Sequence, residues 1–125
     1  MDSTINIQIQ VDEIWIIHHS GIRKLKYDEI VCITSDRPYV CITSKTGNKY
    51  FTTRLSIKKG MECLPECFCL CNQSAIINMK NAIGYQKKGE KIWVQLESNI
   101  NIEVSRRCRP GLKKKLMTYT ELLSE

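Results

Sequence analysis

The sequence lacks any long apolar run, and its cysteine usage does not suit a secreted protein. The longest apolar stretches are broken by polar residues after four or five positions, well short of the roughly 20 residues that a transmembrane helix needs. The opening MDSTINIQIQ carries Asp2 and lacks the basic region with which a signal peptide begins, so it does not match a signal peptide. Seven cysteines cannot all pair within one molecule, and we expect reduced thiols in a cytoplasmic protein.

Acidic residues are absent from one basic segment near the carboxyl end. The chain has 19 Lys and Arg against 13 Asp and Glu, a net charge of +6, and the whole excess lies within residues 105–115. We expect this segment to form a surface that meets a polyanion; a solvated basic helix face is the alternative. Its basic residues are Arg106, Arg107, Arg109, Lys113, Lys114 and Lys115.

The pattern of apolar residues predicts many short strands within one domain, 1–125, since a chain of this length buries one core. Some segments alternate polar with apolar residues, and others are rich in β-branched and aromatic residues between turn formers. The segment HHSGIRK, residues 18–24, is expected to be a loop. Strands are predicted at residues 5–11, 30–33, 39–43, 50–52, 68–77, 92–96 and 100–104.

Two helices are predicted among these strands. Thr53 is placed to cap a short helix that Gly60 weakens. A second helix is predicted over residues 111–124, where apolar residues recur at helical spacing from Leu112 to Leu123. The expected fold is therefore mainly β, an elongated antiparallel arrangement of short strands in small sheets, with one short helix in the middle and a C-terminal amphipathic helix.

Several local strings occur in an order and at spacings that are typical of one family. They are YDEIVCI at 27–33, TRLSI at 53–57, LP at 64–65, SAIIN at 74–78 and VSRR at 104–107. Each string is common alone, but together they resemble the LytTR DNA-binding domain of bacterial response regulators. The resemblance covers roughly residues 20–118, nearly the whole chain.

The resemblance implies a transcription regulator that binds double-stranded DNA sequence-specifically, and not an enzyme. Similar proteins insert loops into successive major grooves at direct repeats, usually with two copies per site, which allows a homodimer on the DNA. No cofactor, metal or membrane enters this function. Similar proteins typically carry a receiver domain in front of this one, so a stand-alone regulator is expected here.

Three loops are expected to contact the bases. Arg107 has the planar guanidinium that suits O6 and N7 of guanine. Asn72 and Gln73 stand where similar proteins more often have His and Arg, so base preference should differ and affinity should depend more on the basic segment. The third loop is a hairpin tip with Arg37 and Tyr39. Phosphate contacts are expected from Arg106, Arg109, Lys113 and Lys114.

Two further functions stay open from the sequence. One is an accessory module that keeps a LytTR-like fold, binds another protein and no longer recognises DNA. The other is a sequence-tolerant binder of single-stranded nucleic acid, because small β folds with basic rims often do this. Binding to duplex, single strand and RNA at two salt concentrations distinguishes the three functions, since phosphate-driven binding weakens steeply with salt.

Several polar, thiol and aromatic residues are expected to be structural. Asn78 follows two isoleucines, and such a side chain usually satisfies local backbone groups. His18 and His19 lack an inferable nucleophile partner. Trp15 and Trp93 are expected in the core or in packing between sheets, and not as platforms on which bases stack. Single-residue spacing places three thiols on one strand face and does not match zinc pairs; they are Cys67, Cys69 and Cys71.

Overall fold

The computed structural model describes residues 6–120. Within them the chain forms eleven strands and two α-helices, with single 3-10 turns between some of the strands. The strands are β1 (Asn6–Ile9), β2 (Glu13–His18), β3 (Gly21–Lys26), β4 (Ile30–Asp36), β5 (Tyr39–Ser44), β6 (Lys49–Thr52), β7 (Phe68–Asn72), β8 (Ala75–Asn78), β9 (Ala82–Lys88), β10 (Lys91–Leu96) and β11 (Ile100–Val104). The helices are α1 (Ile57–Cys63) and α2 (Arg109–Thr120).

The strands form three antiparallel sheets. The first has the order β1-β2-β3, the central sheet has β6-β5-β4-β8-β7, and the third has β11-β10-β9. Neighbours in the first and third sheets follow one another along the chain, so tight turns connect them. The prediction of a mainly β fold of small antiparallel sheets with two helices is confirmed.

Two apolar clusters hold the sheets together. Ile14 and Ile16 of the first sheet share one cluster with Ile33, Phe68 and other residues of the central sheet. The second cluster joins the opposite side chains of the central sheet to the third sheet and α2; it includes Cys71, Ile77, Val94, Val104 and Leu112. The central sheet thus contributes side chains to both clusters, as expected of a middle layer in a small domain.

Helix α1 is short, and its start differs from the prediction. Ser56 caps it by accepting from the backbone N–H of Lys59 at 3.1 Å, so the proposed cap at Thr53 is wrong by one turn. Gly60 is buried, and a Cβ there would lie 3.0 Å from Cδ1 of Ile76. The glycine therefore allows α1 to pack closely on the central sheet.

Three strand predictions need correction. The segment expected as a loop at 18–24 contains the turn between β2 and β3 and the first part of β3. The run 68–77 is two strands, because the chain reverses at residues 72–75. The first strand ends at Ile9, and Val11 is 95% exposed rather than on the buried face. Residue 5 and Leu123 lie outside the described residues.

The tryptophans and cysteines are also placed differently from the prediction. Trp15 and Trp93 are half-buried on the outer faces of their sheets, because the apolar neighbours on each side take the inner face. Cys69 and Cys71 lie in the second cluster, whereas Cys67 precedes the strand and lies in the first. Among residues 6–120, no helix is long and apolar enough to span a membrane.

The prediction for Asn78 is confirmed. Its side chain is fully buried and donates hydrogen bonds of 2.9 Å to the carbonyls of Tyr27 and Ile30. Its Oδ1 accepts from the backbone N–H of Lys80 at 3.0 Å. One amide therefore fixes the turn that leads into β4 against the turn that follows β8.

Candidate nucleic-acid interface

The tip of the β4–β5 hairpin presents Arg37. Asp36 pairs with Tyr39 across the strands, which leaves Arg37 and Pro38 as the tip. Arg37 is exposed, and the ring of Tyr39 packs edge-on against Phe51 with ring centroids 6.2 Å apart. Tyr39 is thus held by the sheet, while the arginine points a charge at the surface.

The β7–β8 turn contains Asn72, Gln73 and Ser74. The Asn72 Oδ1 accepts from the Ser74 N–H at 2.7 Å, and its Nδ2 donates to the carbonyl of Glu103 at 2.8 Å. Both ends of the amide are engaged within the fold. Gln73 is exposed, so it is the amide of this turn that reaches the surface.

The hairpin tip and the β7–β8 turn adjoin each other. The backbone N–H of Ser35 donates to the carbonyl of Ser74 at 2.8 Å. Arg37, Tyr39 and Gln73 line one open depression of about 360 Å³, whose other wall is the segment before α1. Two of the three predicted base-contacting loops therefore share one surface.

The third loop begins beside the same turn. The N–H of Ser105 donates to the carbonyl of Cys71 at 3.0 Å, next to the bond between Asn72 and Glu103. Arg107 follows in a 3-10 turn and is exposed, and its side chain makes no hydrogen bond or ion pair with any residue of the described range. The structure thus connects all three loops through the β7–β8 turn and leaves the Arg107 guanidinium available.

The basic segment divides into engaged and available cations. Arg106 forms an ion pair with Glu90 at 3.1 Å, and Arg109 donates to the Glu90 carbonyl at 2.8 Å. The ammonium of Lys115 donates to the carbonyls of Glu66 and Phe68 at 2.7 and 3.1 Å, which ties α2 to the central sheet. The exposed side chains without such a partner in the described part of the chain are Arg107, Lys113 and Lys114.

Sequence reasoning does not identify Glu90 and Lys87 as part of this region. Both lie at the β9–β10 turn, where they line a depression with Arg106 and Arg109. The string KKGEK at 87–91 carries the signal, four charged residues in five. Only the fold shows that this turn meets the start of α2.

The buried thiols offer no activated nucleophile. Burial raises the pKa of Cys71 from 9.0 to about 12 and that of Cys32 from 9.0 to about 11, so both stay protonated near neutral pH. Within residues 6–120, no group of three or more His, Cys, Asp or Glu side chains is arranged to hold a metal ion.

Comparison with known proteins identifies the family and the fold. The family model of the LytTr DNA-binding domain matches residues 20–117. A solved LytTr DNA-binding domain, from a methyl-accepting/DNA response regulator of Bacillus cereus, has the same fold with a TM-score of 0.74 at 12% identity, over 86% of this chain and 98% of that chain. No curated protein matches. Because the family model matches well over half of the sequence, this chain belongs to the LytTR family of DNA-binding domains.

Proposed function

We propose that this chain is a sequence-specific regulator that binds double-stranded DNA through the three connected loops. One observation carries the proposal: Arg107, exposed and unpartnered among the described residues, follows a strand that is hydrogen-bonded to the β7–β8 turn, which in turn adjoins the tip with Arg37. Exposed donors on adjoining loops are what a base-reading surface requires.

The loops and the basic segment take different roles in this proposal. Arg107 contacts a guanine through O6 and N7, and Gln73 contacts an adenine through N6 and N7, each in the major groove. Lys113 and Lys114 on α2 neutralise phosphates and fix the position of the loops on the duplex. Asn72 orients the turn, since its amide already serves the Glu103 carbonyl and the Ser74 N–H.

The proposed unit is one domain, 1–125, that binds as two copies at direct repeats. A single copy reads only the few bases that its three loops reach, so a second copy adds specificity without new contacts within the domain. Nothing in this function requires catalysis, in keeping with a family of DNA-binding domains.

A binding titration tests the proposal. The chain is mixed with labelled duplex DNA, single-stranded DNA and RNA at about 50 and 200 mM salt. We expect binding to the duplex that weakens by orders of magnitude between these concentrations, because phosphate contacts release counterions. Equal affinity for single strands would favour sequence-tolerant binding, and no binding at low salt would favour the protein-interaction module.

Selection of bound fragments from random duplex DNA tests the specific part. We expect an enriched site of two similar half-sites in the same orientation. Their centres should lie about 10 to 10.5 base pairs apart, or a multiple of that, so that both copies face the same side of the duplex. A pool that remains random after several rounds would leave only phosphate binding and would overturn sequence specificity.

A further inference from the structure

An open depression of about 470 Å³ lies where the β9–β10 turn meets the start of α2. Strands β9 and β10 pair up to Lys88 and Lys91, so the turn has two residues, Gly89 and Glu90. Gly89 takes a φ of +63°, a conformation that such tight hairpin turns require and that glycine adopts freely. The turn therefore holds Glu90 in a fixed place. The depression is lined by Lys87, Gly89, Glu90, Arg106, Arg109 and Pro110.

Glu90 is held there by two arginines. Its carboxylate pairs with the Arg106 guanidinium at 3.1 Å, and its main-chain carbonyl accepts from Arg109 at 2.8 Å. The pair of Arg106 and Glu90 is open to water, with side-chain exposures of 77% and 89%. Exposed ion pairs are weak, so a stronger anion can replace the carboxylate.

The depression has more positive charge than Glu90 neutralises. Three cationic side chains, those of Lys87, Arg106 and Arg109, face one carboxylate. The Nε–H of Arg109 is buried without a hydrogen-bond acceptor in the described structure. The 12-residue helix α2 begins here and adds the partial positive charge of its N-terminus. An oxyanion brings the negative charge that these cationic groups lack.

We propose that this depression binds a backbone phosphate of the duplex, and that the Glu90 carboxylate occupies it in the free protein as an internal competitor. The proposal rests on the proposed DNA-binding function and deepens it. Arg106 adjoins Arg107, so a phosphate held by Arg106 and Arg109 sets the position from which Arg107 reaches its base. Glu90 lowers affinity for every duplex alike, because a phosphate carries no sequence information.

The test compares Glu90→Gln with a matched control, Glu97→Gln. Both acids flank β10, at opposite ends, and both form exposed ion pairs; the carboxylate of Glu97 lies 3.9 Å from the ammonium of Lys45. Each change removes one negative charge. We expect E90Q to bind duplex DNA about two- to fivefold more tightly, the factor that loss of one exposed competing pair allows, and E97Q to bind like the parent.

The salt dependence gives a second measure. Loss of Lys87 in the variant Lys87→Ala should reduce the slope of log K against log salt by about 0.9, the value for one lost phosphate contact, while the control Lys45→Ala keeps the parental slope. Thermal unfolding of each variant checks that the fold is intact. Equal effects of E90Q and E97Q, together with equal slopes for K87A and K45A, would overturn the site.

A readout without DNA separates this site from the proposed function. Inorganic phosphate is titrated into ¹⁵N-labelled E90Q, E97Q and parent chains, and chemical shifts are followed by NMR. We expect shifts of the backbone and Nε signals at Gly89, Arg106 and Arg109, largest in E90Q. If these shifts occur but the parent binds no duplex, the anion site stands and the DNA function fails. If the parent binds duplex and the signals do not move more in E90Q than in E97Q, the site fails alone.

Discussion

The side-chain amide of Asn72 donates a hydrogen bond of 2.8 Å to the main-chain carbonyl of Glu103, 31 residues further along the chain. Its Oδ1 accepts from Ser74 within the same turn. One side chain thus joins the β7–β8 turn to β11, the strand that leads into Arg107. In this arrangement the turn and the arginine loop keep a fixed relation, which a surface reading neighbouring bases needs.

Replacement of Asn72 by alanine is expected to cost stability as well as DNA affinity. The variant Asn72→Ala loses two hydrogen bonds at a half-buried position, worth about 1–2 kcal/mol of unfolding free energy together. Urea unfolding measures this loss. The turn then keeps only the bond between the Ser105 N–H and the Cys71 carbonyl as its link to the arginine loop, so the loops are less well fixed and affinity should fall for all duplexes rather than at one base position.

Gln73→Ala is the matched control in the same turn. Gln73 is exposed, so its loss should leave the unfolding free energy within about 0.5 kcal/mol of the parent. Base preference should change at one position of the selected site. If N72A is as stable as the parent and alters one base position instead, Asn72 itself is the reader.

Removal of Arg107 is expected to affect DNA recognition only. Arg107 is exposed and has no partner among residues 6–120, so Arg107→Ala should keep the parental unfolding free energy. Specific affinity should fall by roughly 1–3 kcal/mol, and base preference should relax at one position. Anisotropy titrations with the selected duplex and with single-base variants of it measure both effects.

Lys113→Ala provides the comparison for phosphate contact. This variant should bind all duplexes more weakly than the parent, and by nearly the same factor. The slope of log K against log salt should fall by about 0.9, the value for one lost phosphate contact. Should both R107A and K113A bind like the parent, the surface formed by this segment is not the DNA-binding surface.

Much of the fold follows from the sequence where one face of a strand is buried. The alternation in residues 92–96 and 100–104 predicts β10 and β11, because their inward side chains are apolar and their outward ones, apart from Trp93, are polar. The β2–β3 hairpin is not predicted, since five of the six residues of β3 are exposed. Arg23 and Lys24 interrupt the alternation of polar and apolar residues that would indicate a strand. Strand β3 is an edge strand, where charged residues are common.

The candidate site follows from the sequence only in part. The charge of residues 105–115 predicts a basic surface, and exposed Arg107 and Lys113 agree with it. The pairing of Arg106 and Arg109 with Glu90 is not predictable, because these partners are 16 and 19 residues apart and meet only when β9, β10 and α2 assemble. The hydrogen bond from the Asn72 amide to the Glu103 carbonyl is not predictable for the same reason, because the two residues are 31 positions apart.

Asn78 is expected to be a point of large stability loss. Asn78→Ala removes two donated bonds to buried carbonyls and leaves the Lys80 N–H without its acceptor, a cost of about 2–3 kcal/mol. The two carbonyls keep other donors, which limits the loss. Lys80→Ala is the control, because Lys80 contributes only its backbone to this network and its side chain is exposed. Equal urea midpoints for N78A and K80A would contradict the role of the amide.

The buried thiols are expected to make stability fall at high pH. Burial raises the pKa of Cys71 to about 12 in the folded chain, against an ordinary value of 9.0 for an unfolded thiol. The unfolded chain therefore releases a proton near pH 9 that the folded chain keeps until about pH 12, so the folded state loses stability as pH rises through this interval.

Urea unfolding under reducing conditions at about pH 7.5, 9 and 10 measures the decline. Cys71→Ala should make the decline shallower, with the rest due to Cys32, whereas Cys63→Ala should leave it unchanged, because Cys63 is exposed. Parallel declines in both variants would show that other groups, such as the buried thiol of Cys32, cause the loss.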